Sequence, residues 1–134
     1  MSVIEWSDAA LALGVEAMDA THRRMVALMN AAADAGPDAF PAAFEALAEH
    51  TAEHFAQEEA WMLECGDPAA AAHRQEHGKL LAEFAFMRGR IAQGRQRFAR
   101  AFVAERLPEW LPQHASSMDS LLAARLKQQG GAGA

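Results

Sequence analysis

The sequence contains few of the residues that build β-sheets or disulfide scaffolds. Its 134 residues include no Tyr, four Val, two Ile, two Thr and one Cys. A single Cys forms neither an internal disulfide nor a cysteine-based zinc site, and the scarcity of β-branched residues argues against a sandwich or barrel. Ala, the strongest helix former, occurs 33 times. We therefore expect one all-α domain with a single sizeable core.

Surplus positive charge and long apolar runs are also missing. The 12 Lys and Arg residues face 18 Asp and Glu residues, and the resulting net charge of −6 argues against a nucleic-acid partner. No apolar run is long enough to span a bilayer, so no membrane partner is expected. Residues 1–8 carry acidic residues and no Lys or Arg, unlike a signal peptide. A cytoplasmic location is the natural expectation.

Gly and Pro divide the chain into an arm, four long segments and a tail. The arm covers residues 1–14, and the Gly-rich residues 129–134 are expected to form a flexible tail. Between them, apolar residues recur at helical spacing in four segments, which are approximately 19–35, 38–65, 69–92 and 96–129. Because the connections are short, the sequence predicts an antiparallel up-down four-helix bundle over residues 15–128.

Five of the six His residues occur with two acidic residues in a pattern typical of metal ligands. The seven candidates are His22 in the first helix, His54 and Glu58 in the second, His73 and His77 in the third, and His114 and Asp119 in the fourth. Two residues four positions apart share one face of a helix. Since side chains from all four helices converge in a bundle core, these residues can form a metal site there.

The number of donors favours two metal ions over one. Five imidazoles and two carboxylates exceed the four ligands of a tetrahedral zinc. If both carboxylates and one oxide or hydroxide bridge two metals, five His residues divide three and two, and one metal keeps an open position. Imidazole and carboxylate suit iron, manganese, zinc or copper. Iron is preferred because a redox-active pair can give two electrons to O₂. The Glu-x-x-His pairs of carboxylate-rich di-iron bundles do not occur.

The ordered motifs resemble those of the bacterial hemerythrins. The resemblance rests on the runs His54-Phe55-Ala56-Gln57-Glu58-Glu59, His73-x-x-x-His77, and Trp110-Leu111-Pro112-Gln113-His114 followed by Asp119. The run Asp19-Ala20-Thr21-His22 also matches the Asp-x-x-His of that family's first helix. The resemblance covers approximately residues 6–126.

This resemblance implies reversible O₂ binding at a non-haem di-iron centre. In the family pattern, His73, His77 and His114 hold the six-coordinate iron. His22 and His54 hold the iron with the open position, and Glu58 and Asp119 bridge the two. The family binds O₂ end-on at the open iron, as hydroperoxide hydrogen-bonded to the bridging oxygen. The implied role is that of an oxygen carrier, store or scavenger and not of an enzyme, with NO and small anions as other ligands of the open iron. We expect the chain to be a monomer.

Apolar residues near the ligands are candidates for a dry O₂ pocket. They are Met25, Phe55, Met62, Trp110 and Leu111, all of which also suit ordinary core positions at helical spacing. His50 lies one turn before His54. Its functional interpretation is a proton donor close to the centre. The alternative, which we favour, is a histidine in the core or at the end of the bundle with one backbone partner.

The fourth helix contains two irregular features. Pro108 and Pro112 each remove an N–H group and crowd the carbonyl four residues earlier, at a cost of about 3 kcal/mol in a helix interior. A kink or helix restart near Pro108 is therefore predicted. His114 and Asp119 are about 140° apart on an ideal helix, so local distortion or side-chain reach must bring them together. Glu59 points about 100° away from Glu58 and is expected to be solvated.

Other functions compatible with the sequence are a sensor, an enzyme and an iron store. A sensor of O₂, NO or redox state would act through a separate protein partner. An enzyme would be a di-iron peroxidase or an NO-handling oxidoreductase. Weak peroxidase-type activity is also compatible with an oxygen-binding protein. Catalysis would need an acid or base near the open iron, for which His50 is the candidate.

Overall fold

The computed structural model describes residues 2–130, and all regular secondary structure among them is helical. The arm contains the short helix α1 (Asp8–Leu11). The first three bundle helices are α2 (Glu16–Asp34), α3 (Phe40–Cys65) and α4 (Ala70–Ala92). Residues 97–128 form the fourth bundle helix, and consecutive helices pack against each other. The predicted all-α four-helix bundle is confirmed.

The fourth bundle helix changes its hydrogen-bonding pattern twice. Its five parts are α5 (Arg97–Ala101), a first π-helical turn (Phe102–Arg106), α6 (Leu107–His114), a second π-helical turn (Ala115–Asp119) and α7 (Ser120–Gln128). In the first turn, the N–H of Leu107 bonds to the carbonyl of Phe102. This wider turn directly precedes Pro108, where it relieves the crowding that Pro causes in a regular α-helix. The backbone stays helical through Pro108, so the predicted restart does not occur, and the change is one of hydrogen-bonding pattern.

Gly residues end the helices where the sequence indicated. Gly66 follows α3 with a φ of 63°, and its N–H bonds to the carbonyl of Leu63. Gly94 follows α4 with a φ of 79°. Both conformations are left-handed and favour Gly. Of the predicted tail, residues 131–134 lie outside the described residues, whereas the side chain of Gln129 donates to the carbonyl of Cys65 at 3.3 Å.

The core consists of two apolar clusters with a polar layer between them. The larger cluster includes Met25 and Phe55, and the smaller includes Met18 and Met62. On α2, His22 lies between Met18 and Met25 along the chain. On α3, Glu58 lies between Phe55 and Met62. The candidate ligands therefore occupy a layer of the core that apolar side chains would otherwise fill.

The arm is attached to α2 at two points. Asn30 accepts hydrogen bonds from the N–H groups of Val3 and Ile4 and donates to the carbonyl of Ile4. Asp19 accepts from the N–H groups of Leu13 and Gly14, at 2.7 and 3.2 Å. Among residues 2–130, no helix combines the length and apolar character that crossing a membrane requires.

Candidate metal centre

The seven candidate ligands converge in the polar layer and are all buried. The most accessible of them, His54, is only 4% exposed. Their ligand atoms form two groups in which all atoms lie within 4.8 Å of one another. The three-His group contains His73, His77 and His114, and the two-His group contains His22 and His54. Glu58 and Asp119 belong to both groups.

Glu58 divides its two carboxylate oxygens between the groups. Its Oε1 lies 3.3 Å from Nε2 of His73 and 3.1 Å from Nε2 of His77. Its Oε2 lies 2.6 Å from Nε2 of His54 and 3.7 Å from Nε2 of His22. One oxygen therefore faces each group, as a carboxylate shared between two cations requires.

Asp119 divides its oxygens in the same way. Its Oδ1 lies 3.0 Å from Nε2 of His73 and 3.1 Å from Nε2 of His114. Its Oδ2 lies 3.0 Å from Nε2 of His22. Three nitrogens and two oxygens thus surround one position, and two nitrogens and two oxygens surround the other.

The second π-helical turn brings Asp119 into the centre. In this turn the N–H of Ser120 bonds to the carbonyl of Ala115, five residues earlier. Residues five apart then lie nearly in line, as residues four apart do in an α-helix. His114 and Asp119 consequently face the same side, which is the local distortion that their spacing required.

The donor spacing fits two metal ions. Metal–nitrogen and metal–oxygen bonds of about 2.1 Å place neighbouring ligands of an octahedral ion roughly 3.0 Å apart. Most of the nitrogen–oxygen distances in the cluster are 3.0 to 3.3 Å. In addition, Oε1 of Glu58, both oxygens of Asp119 and Nε2 of His22 and His77 are buried without a hydrogen-bond partner among the described residues. Metal ions would satisfy these atoms.

Electrostatic coupling within the cluster shifts several pKa values. Burial lowers the pKa of His22, but its attraction to the nearby carboxylates of Asp119 and Glu58 outweighs this effect and raises the pKa to about 9. The same balance raises the pKa of His73 to about 9. Burial raises the pKa of Glu58, but its His neighbours, His54 first among them, hold the pKa well below the usual value. Without metal, the centre therefore favours ionised carboxylates with protonated imidazoles at His22 and His73.

Aromatic rings fix the orientation of two candidate ligands. The Phe55 ring lies parallel to the His77 ring with centroids 3.8 Å apart, and Trp110 stacks on His114 at 4.3 Å. Met25, Phe55, Trp110 and Leu111 belong to the larger apolar cluster, whereas Met62 belongs to the smaller one. The five predicted pocket residues therefore lie on both sides of the polar layer.

Two acidic residues that the sequence did not indicate lie near the outer ring nitrogens, and one of them is hydrogen-bonded. Nδ1 of His77 donates to Oε2 of Glu59 at 3.0 Å, and Oε1 of Glu76 lies 3.9 Å from Nδ1 of His114. The expectation that Glu59 is solvated holds only in part, since its side chain is 35% exposed and also reaches across from α3 to α4. Glu59 directly follows the candidate ligand Glu58 and lies on the side of α3 that faces α4. This position was the signal from which its contact with His77 could have been inferred.

His50 lies at the edge of the centre and not within it. Its Nε2 lies 3.0 Å from the carbonyl oxygen of Thr21, and its ring centroid is 6.1 Å from that of His54. Burial lowers its pKa. This single backbone partner agrees with the interpretation that we favoured from the sequence.

Comparisons with known proteins agree with this geometry. Residues 13–126 match the family described as hemerythrin HHE cation binding domain. A bacteriohemerythrin of Ralstonia nicotianae is 43% identical over 130 residues, which are 97% of this chain and 93% of that protein. A crystal structure of a hemerythrin mutant has a TM-score of 0.84 at 23% identity and covers 94% of this chain and 98% of its own. For wild-type hemerythrin the TM-score is 0.82 at 24% identity, with coverages of 92% and 97%.

Proposed function

Since the chain belongs to the hemerythrin family, we propose that its buried cluster holds two iron ions and binds O₂ reversibly. The observation that carries this proposal is the division of the carboxylate oxygens. Glu58 and Asp119 each direct one oxygen to the three-His group and the other to the two-His group. A cluster built for one ion would not need this arrangement. Iron is the metal that the donor set and the family favour.

The unequal groups support an open position on one metal. The three-His group offers five protein donors and the two-His group offers four. The ion held by His22 and His54 therefore has one protein ligand fewer. Two iron ions would supply, when bound, the electrons and the open coordination position that O₂ binding requires.

The surroundings of the cluster support binding more than turnover. Phe55 and Leu111 are almost fully buried and keep water away from the centre. The side chain of His50, the candidate acid or base, is already hydrogen-bonded to the carbonyl of Thr21. A dry cluster whose candidate proton donor is engaged elsewhere favours release of O₂ over its conversion to other products.

Optical spectroscopy under controlled O₂ tests this proposal. The protein is loaded with Fe(II) without air, its iron content is measured, and O₂ is added and then removed with argon. We expect two iron ions per chain and a visible absorption band that appears with O₂ and disappears with its removal. A colourless protein that holds zinc, or O₂ consumption without recovery of the starting spectrum, would contradict reversible binding.

A pair of variants on α3 connects the signal to the cluster. His54→Ala removes one donor from the two-His group, and we expect it to abolish the reversible band. Glu53→Ala, an exposed neighbour on the same helix, is the matched control and should retain the band. Equal spectra for the two variants would show that O₂ does not bind at the buried cluster.

A further inference from the structure

The two groups of candidate ligands differ in what surrounds their outer ring nitrogens. In the three-His group, Nδ1 of His77 donates to Glu59 at 3.0 Å, and a carboxylate oxygen of Glu76 lies 3.9 Å from Nδ1 of His114. In the two-His group, Nδ1 of His22 and of His54 is buried without a hydrogen-bond partner in the part of the chain that the structure describes. Nδ1 of His114 is also buried without a hydrogen-bond partner among the described residues. Within that part of the chain, His77 is therefore the one candidate ligand whose outer nitrogen is hydrogen-bonded to a carboxylate.

The contact with Glu59 determines which nitrogen of His77 can bind a metal. A proton on Nδ1 leaves the lone pair on Nε2, which faces Oε1 of Glu58 at 3.1 Å. The Phe55 ring lies parallel to the imidazole, with an interplanar angle of 1°, and restricts its rotation. Glu59 and Phe55 together hold His77 in the tautomer and orientation of a ligand before a metal arrives.

Glu59 can act on the centre without belonging to it. It follows Glu58 directly in α3, so it points about 100° away, towards the packed face of α4. Its side chain is 35% exposed, and it belongs to neither group of candidate ligands. Replacing it should therefore disturb the orientation of His77 and leave all seven donors in place.

We propose that Glu59 is a positioning residue that makes the three-His group the tighter half of the centre, which takes up the first metal ion. This inference rests on the proposed two-metal centre. A carboxylate bonded to the outer nitrogen of a ligating imidazole fixes its orientation and raises its basicity. Loss of such a partner typically weakens metal binding about 10-fold to 100-fold.

Metal titration of the full-length, metal-depleted protein tests this inference. Fe(II) is added without air in the presence of a chromophoric competing chelator, and two dissociation constants are fitted. Glu59→Gln keeps the size and helix propensity of the side chain and removes its charge. Glu64→Gln is the matched control, because Glu64 is an exposed Glu of the same helix. We expect Glu59→Gln, and not the control, to weaken the first binding step by about 10-fold to 100-fold.

A second readout reports on His77 directly. In protein with ¹⁵N-labelled histidine, the Nδ1–H signal of His77 should be protected from exchange in the unaltered chain and in Glu64→Gln. The signal should shift or disappear in Glu59→Gln. Thermal unfolding of the metal-free variants should coincide, which separates loss of orientation from loss of fold.

The outcomes separate this inference from the proposal on which it rests. If the unaltered protein takes up no metal, the proposed function fails. If it binds two ions and Glu59→Gln binds both as tightly, the role of Glu59 is refuted and the two-metal centre stands. Weakening of the second step alone would also refute the inference, because it would assign the tighter half to His22 and His54.

Discussion

Nε2 of His114 and Oδ1 of Asp119 lie 3.1 Å apart, although the two residues are five positions apart along one helix. On a regular α-helix they would point about 140° apart. The π-helical turn Ala115–Asp119 adds one residue to the turn and removes this difference. The irregularity of the fourth bundle helix is therefore a condition for assembling the cluster.

Deletion and insertion in this turn should have opposite effects. Removing the exposed Ser117 converts the π-helical turn into an α-helical one with His and Asp four residues apart, still on one face. We expect this variant to bind two metal ions per chain. Inserting one Ala after Ser117 turns Asp119 away, and we expect one ion or none. Metal content after dialysis provides the measurement, and equal content in both variants would show that the turn does not set the register.

Metal removal should destabilise the fold. The cluster buries two carboxylates and five imidazoles that the apolar clusters cannot satisfy. Free metal at about 100 times its dissociation constant stabilises a protein by about 2.7 kcal/mol. For a chain of this size we expect chelation to lower Tm by about 10 °C. Calorimetry with and without chelator measures the shift, and adding chelator to protein already stripped is the control. An unchanged Tm would mean that metal binding does not stabilise the folded chain.

The metal-free protein should lose stability as the pH rises above neutrality. The pKa values of His22 and His73 are raised from 6.5 to about 9. The stability that these two protonated imidazoles contribute to the folded state is fully present below pH 6.5. It is lost as the pH rises through about 9. Urea unfolding at pH 6.5, 7.5 and 9 should therefore give a falling free energy of unfolding. Metal binding requires neutral imidazoles, so the metal-loaded protein should not show this loss. A metal-free protein that gains stability over the same range would contradict the ion pairs.

Truncating Leu111 should open the centre to water. Leu111→Ala removes a fully buried side chain three residues before His114, and we expect irreversible oxidation of the O₂-bound protein to accelerate severalfold. The substitution also costs about 2 to 5 kcal/mol of stability. Leu47→Ala is the control, because Leu47 belongs to the same apolar cluster and its truncation has a similar cost in stability away from the centre. If both variants oxidise at equal rates, lower stability and not access accounts for the change.

Helical periodicity allowed the bundle and the candidate ligands to be predicted from the sequence. Ligands at positions 54 and 58, and at 73 and 77, follow the same period as the core residues around them, so one pattern indicates both fold and cluster. The spacing of His114 and Asp119 indicated a distortion but not its form. A π-helical turn depends on packing at both of its ends, which the local sequence does not encode.

Contacts between helices could not be predicted in this way. Glu59 and His77 are 18 residues apart and meet because α3 and α4 pack side by side. The helical period alone assigned Glu59 to the solvent face, since it gives direction around one helix and not the distance to the next. The division of the carboxylate oxygens between two groups likewise depends on side-chain conformation. The assignment of the seven residues as iron ligands stays a prediction.

The attachment of the arm has a consequence for the least anchored helix of the centre. Three of the long helices supply two candidate ligands each, whereas α2 supplies only His22. A single nitrogen cannot fix both the rotation and the axial position of a helix. The arm adds two further constraints, through Asp19 before His22 and Asn30 after it. In mechanical terms, the segment that precedes the bundle restrains the helix that carries His22 on both sides of this residue.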